Sequence, residues 1–448
     1  MEIKKETGGP RYDVSQKAIA TINVSEVIQE TFVVSPDSKR IAYVAKKEST
    51  GLDGEKRYVM IDSKKGPEFD AVSEDSLVFS PDSTRFAYIA IKEDKSFVIV
   101  DGNEEKGYDA ISSNLLFSPD GKRLAYTANE GDKWLVVVDG EEGKLYDYTA
   151  LGSLNFSPDS KKVGYIASEG NKWFAVIDGK EERRYDYTSN TFVFSPDSTR
   201  FAHAASEGNK WFVVIDGKEE VRYEFIAEGC FVFSPDSKRF AYAAGEGDKW
   251  FVVIDGKEEK RYDHTGGGLV FSPNSSRFAY VGVTGDEWFV VVDSKEVGSY
   301  GGVSDTLIFS PDSKRFAYAV GEADRWYIVI DGKKEKTYDL ILGDFIFSPD
   351  SQRLVYGASE EDRFFVVVDG KEENKYDYIG GNFTFSPDSR HVAYIAQLGN
   401  KWFIVMNGKE KKKFDFIPPQ SKLVFETPEF FYYLAVVGNI VYLVQDVV

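Results

Sequence analysis

Ten Ser-Pro pairs punctuate the chain, with prolines at Pro36, Pro81, Pro119, Pro158, Pro196, Pro235, Pro273, Pro311, Pro349 and Pro387, spaced by 45 residues once and then by 38 or 39. A unit of about 40 residues cannot bury an apolar face alone, so a period held this long means one supersecondary unit stacked until neighbours cover it. The 448 residues are 42% hydrophobic and 15% aromatic, which supplies a large core and excludes a disordered chain.

Each unit divides into four segments of strand length. In the fifth and sixth copies these are TFVF (Thr191 to Phe194), TRFAHAA (Thr199 to Ala205), KWFVVID (Lys210 to Asp216) and EEVRYEF (Glu219 to Phe225). Val, Ile, Phe, Tyr and Trp dominate and no 3.6-residue period is present, so the chain reads as all-β. In Ser-Pro-Asp-Ser, Pro presets φ at the second turn position and Asp or Ser bonds nearby amides, joining the first strand to the second. Asp216-Gly217 supplies the positive-φ pair of a tight hairpin between the third strand and the fourth. The third strand is a continuous apolar run, as at Trp211 to Ile215, and so must be covered on both faces.

Four antiparallel strands per unit, covered on both faces and repeated in a row, describe the blades of a β-propeller. At FSPDSKRFAY followed by WFVVIDG the chain resembles the TolB-type, WD-repeat-like propeller family, whose blades carry a Ser-Pro-Asp-Gly turn, a short strand and an apolar strand ending in Asp. The resemblance runs from about Val33 to Val448, with Asn274 the one departure from Asp after Pro. It implies scaffolding and protein contact.

After Asp415 the chain supplies a first strand ending at Phe425, a degenerate turn at Thr427-Pro428, and two further strands that meet at Gly438-Asn439; there it stops. The missing fourth strand is expected from Ala18 to Val24, which closes the ring. The expectation is therefore an arm at 1–17 and a single propeller of about eleven four-stranded blades at 18–448. The alternative is two smaller tandem rings, against which the spacing from Pro81 to Pro387 leaves no linker.

The formal net charge of -19 repels phosphate backbones and anionic lipid surfaces, so neither nucleic acid nor membrane insertion is expected. The apolar run FFYYLAVVGNIVYLVQDVV is too short and too β-branched for a span and reads as two strands. Cys230 stands alone, which leaves no disulfide framework, and MEIKKETGGPRYD has no apolar core of a signal peptide. A soluble monomer is expected, in no particular compartment.

Chemistry is sparse. His203, His264 and His391 occupy unrelated positions of the repeat, with His203 in place of a packed Tyr, and no cofactor or metal is expected. Acidic pairs such as Glu246 with Asp248, Glu130 with Asp132 and Glu322 with Asp324 read as a solvated rim. No Gly-x-Ser-x-Gly elbow occurs, so the chain reads as a non-enzyme. Trp134, Trp173, Trp211, Trp250, Trp288, Trp326 and Trp402 start the third strand, Phe97 and Phe364 replacing them in two copies, and read as packing between blades.

The crossing from each blade to the next varies most, and it places Tyr148, Tyr187, Phe225, His264, Leu340, Tyr378 and Phe416 on one face as candidate binding residues. The expected function is a scaffold that takes a protein or peptide there. The alternative is a small-ligand sensor or a hydrolase or lyase working through the channel.

Overall fold

The computed structural model describes residues 15–23, 25–28, 31–47, 55–112, 114–380, 382–418 and 421–448. They form eleven antiparallel sheets, each built on four strands in sequence order. Blades 1 to 10 cover 33–69, 71–108, 110–146, 148–185, 187–223, 225–262, 264–300, 302–338, 340–376 and 378–414, and blade 11 combines 424–447 with 15–21. The chain is one eleven-bladed β-propeller, and the two-ring alternative is set aside.

Closure is made by the N-terminus. Ser15–Thr21 pairs antiparallel with Ile440–Val447, from Ser15 opposite Gln445 to Thr21 opposite Ile440. This strand starts three residues ahead of Ala18, and Val24 and the first fourteen residues lie outside the described ones. Ala20 packs with Ile41, Tyr43 and Leu434, so the same strand that completes blade 11 also seals it to blade 1. The apolar C-terminal run forms Phe430–Val437 and Ile440–Val447, joined through Gly438 at φ 59°. Among the described residues no helix is long and apolar enough to cross a membrane.

Turn chemistry follows from residue type. Asp216 and Gly217 sit at φ 52° and 75°, the primed hairpin turn that matches strand twist, and the pattern recurs in most blades. In the Ser-Pro-Asp-Ser turns the last Ser takes positive φ, 63° at Ser198. That turn also links blades. The Asp37 N–H donates to Ser83 Oγ of the next blade at 3.0 Å, and the same contact recurs up to Asp350 and Ser389. Asn274 fits without loss because the donor is its backbone N–H, to Ser313 Oγ at 3.0 Å.

A second link starts from the basic residue that opens the second strand. Arg123 Nε donates to Asp139 of its own hairpin at 2.9 Å, Nη1 donates to the Lys161 carbonyl of the next blade at 2.8 Å, and the guanidinium covers the Phe156 ring at 5.3 Å. The planar fork suits this three-way contact.

The third strands are sealed as expected, with Phe212, Val213 and Val214 at most 1% exposed. The outer strand differs from expectation. Blade 5 pairs only Lys218–Glu219 there, bulges, and rejoins the third strand where Tyr223 bridges Trp211. Phe225 is not part of that strand; it opens blade 6.

Candidate binding face

The first strands of successive blades touch around the axis, as where Asn155 Nδ2 donates to the Phe192 carbonyl and Thr306 Oγ1 to the Gly343 carbonyl. Strand direction then sorts the connections. Ser-Pro and Asp-Gly turns share one face of the ring, and the hairpins between second and third strands share the other with the blade-to-blade crossings.

All seven candidates lie on this crossing face, but six of them in strands and Phe416 in an isolated bridge rather than in loops. Tyr148 pairs with Ser168, Tyr187 with Ser206, Phe225 with Gly245, His264 with Val283, Leu340 with Ser359 and Tyr378 with Gln397, while Phe416 bridges Val436. The six in strands are each the first paired residue of an innermost strand, because the crossing reaches the next second strand at once: Asp186 N–H already donates to the Ser206 carbonyl. His264 is exposed, and the other six are large side chains between 36% and 50% exposed. Ala71, Ala110 and Gly302 hold the same position in blades 2, 3 and 8. The apolar positions therefore fall in two arcs, blades 4 to 6 and 9 to 11, with His264 of blade 7 beside the first.

The tryptophans connect these residues, which position by position in the sequence does not disclose. Tyr148 stands between Trp134 and Trp173, with centroids at 6.3 and 5.7 Å, and Tyr187 between Trp173 and Trp211, at 5.3 and 5.6 Å. Interplanar angles of 60° to 81° make every contact edge-to-face, the favoured geometry for ring quadrupoles. Five rings thus run unbroken across blades 3 to 5. In the second arc Trp402 joins Tyr378 and Phe416, at 5.4 and 5.5 Å. Phe225 instead lies flat on Trp250, tilted by only 27°, over Gly245, where a Cβ would come within 3.2 Å of the indole. The tryptophans pack between blades, as expected, and also carry the exposed rings.

A charged clasp holds this face together. Asp147, after the last strand of blade 3, accepts from Lys133 of its own blade and from the Gly170 N–H of the next, at 2.8 Å for the latter. The Lys133 ammonium first and the Gly170 N–H second keep its carboxyl below the usual range. Asp109 with Lys95 and Gly131, and Asp186 with Lys172 and Gly208, repeat the arrangement. Blade 7 breaks it: Gly301 stands in place of the Asp and Glu287 in place of the Lys. The acidic pairs of the rim are partly engaged too, since Glu246 meets Lys210 at 2.8 Å and Glu322 meets Lys334 at 3.0 Å.

The histidines do not converge. His203 is wholly buried, and burial pushes its pKa down to about 4. His391 replaces the clamp arginine and accepts from the Asn407 amide at 2.9 Å. Among the described residues no three His, Cys, Asp or Glu side chains gather as a metal site. Beside Trp134, where the first ladder starts, a cavity of about 230 Å³ has Ser112, Asn114, Thr127, Leu151 and Leu154 in its walls.

No protein-family model and no curated protein sequence matches the chain. Similar solved structures include a eukaryotic initiation factor, at 14% identity over 74% of this chain and 96% of that one, TM-score 0.42. The β-propeller domain of the trilobed protease from Pyrococcus furiosus is 17% identical over 59% of this chain and 96% of that one, TM-score 0.29. TolB from Acinetobacter baumannii is 15% identical over 65% of this chain and 78% of that one, TM-score 0.26. The class that the eleven stacked sheets define is a β-propeller closed by its own N-terminal strand.

Proposed function

We propose that this propeller is a non-enzymatic scaffold that captures a protein or peptide on its crossing face. The observation that supports the reading is the placement of six large apolar side chains in one register of the repeat, each half-exposed, most of them braced by an indole. Rings held in this way lose little side-chain entropy on contact, which suits them as anchors. The net charge of -19 favours a partner with basic flanks.

Affinity capture with the wild type and with the combined Tyr148→Ala, Tyr187→Ala and Tyr378→Ala variant tests the reading, with circular dichroism to verify the fold. Partners held by the wild type should be lost from the variant. Equal retention would remove the crossing face from consideration. A thermal-shift screen with divalent ions and sugars addresses the channel alternative, in which a ligand raises Tm.

A further inference from the structure

The ladder of blades 3 to 5 has a geometry that selects among partners. Tyr148 and Tyr187 lie 5.7 and 5.3 Å from Trp173 on its two sides, so their centroids are no more than about 11 Å apart. Both stand edge-on to the indoles that flank them, which makes the surface a row of ridges with slots between. A polyproline II helix repeats every three residues at about 3.1 Å each, close to 9 Å per turn, which lies within the bound on the Tyr148–Tyr187 separation, so prolines three apart match the repeat of the two tyrosines. Its backbone carbonyls make no internal hydrogen bond and need donors. The ladder has them. Among the described residues none of the indole N–H groups of Trp134, Trp173 and Trp211 is buried without a partner. Aromatic ridges combined with indole donors are the chemistry by which proline-rich segments are read.

We infer that the arc formed by Trp134, Tyr148, Trp173, Tyr187 and Trp211 takes a proline-rich peptide in the polyproline II conformation, with basic residues at its ends. This rests on the reading that the crossing face is the binding face. The cavity beside Trp134 lies where one end of such a peptide arrives and accepts an apolar terminal side chain against Leu151 and Leu154. The charge of -19 selects basic flanks and opposes pairing with a second copy of this chain.

The test is fluorescence anisotropy with a labelled decaproline peptide carrying an arginine at each end, beside a Gly-Ser peptide of equal length and charge and unlabelled cellohexaose as competitor. The proline peptide should bind and the Gly-Ser peptide should not. Tyr148→Ala and Tyr187→Ala should each weaken binding by about ten- to thirty-fold, as expected of aromatic anchors. Trp173→Phe, which keeps the ring and deletes the N–H, should cost about five-fold, the loss of one hydrogen bond. Val297→Ala, on the exposed outer strand of blade 7, should change nothing. Equal binding of the two peptides overturns the inference. If cellohexaose then binds and the tyrosine variants abolish it, the face stands and only its occupant is wrong. Should the proline peptide bind but protect amides near the Ser-Pro turns instead of 147–150 and 186–190 from hydrogen exchange, both the inference and the binding face fall.

Discussion

His203 replaces a tyrosine that the other blades keep, and the substitution His203→Tyr isolates its cost. The imidazole is wholly buried; its Nδ1 has only the Ala204 carbonyl, at 3.4 Å, and its Nε2 has no partner. The Tyr185 ring lies against it at 6.1 Å. Nothing there compensates an imidazolium, so the folded-state pKa drops from 6.5 to about 4. The unfolded chain takes up this proton first. Stability is therefore complete above pH 6.5 and declines as the pH falls towards 4, by about 3 kcal/mol in all, most of it lost by pH 4.5. Carboxylates such as Asp147 and Asp186, whose pKa values are lowered by their lysine and amide partners, withdraw their contribution only at lower pH, and they do so equally in both proteins. Tyrosine at 203 would regain the contact that Tyr126 makes with Glu105 at 2.7 Å and Tyr394 with Glu373 at 2.6 Å, since Glu182 holds that register in blade 4. Urea midpoints at pH 7, 5.5 and 4.5 should converge least at pH 4.5, with the variant the more stable. Parallel curves for the two proteins across this range would refute the buried, uncharged histidine.

Deleting residues 1–21 removes Ile19 and Ala20 from the seal between blades 11 and 1 and bares the edge of Ile440–Val447, so a loss on the order of 5 kcal/mol and self-association are expected, read by thermal melts and gel filtration. An unchanged Tm would refute closure. Gly164→Ala places a Cβ 2.3 Å from the Phe192 ring of the next blade and should cost about 1–3 kcal/mol by chemical denaturation. Asp147→Asn should speed amide exchange at Gly170 while leaving the distant blades unaffected. Because Gly301 and Glu287 take the clasp away between blades 7 and 8, the hairpin at 322–325 should exchange fastest among those of the crossing face.

Much of the fold is legible residue by residue. The positive φ at Asp216 and Gly217, the sealed run from Phe212 to Val214 and the N-terminal strand in blade 11 are local consequences of residue type and period. Variation between copies singles out the candidates, but as loop residues; pairing of Tyr187 with Ser206 depends on how steeply the chain enters the next blade, which no local signal records. The clasp leaves only a trace in the sequence: Lys133 and Asp147 stand fourteen residues apart in a recurring pattern, and blade 7 lacks both partners together.

Period, alternation and turn chemistry act within one unit, so the chain itself determines that it makes four-stranded sheets, about how many, and that its two ends must meet. What belongs to the assembled ring is everything between units. Trp173 and Tyr187 become neighbours, and Asp147 reaches Gly170, only once adjacent sheets set their distance and twist. The aromatic row is a property of the seams, because a single blade supplies one Tyr-Trp pair, as Tyr148 with Trp173, and only packing joins the pairs into a continuous surface.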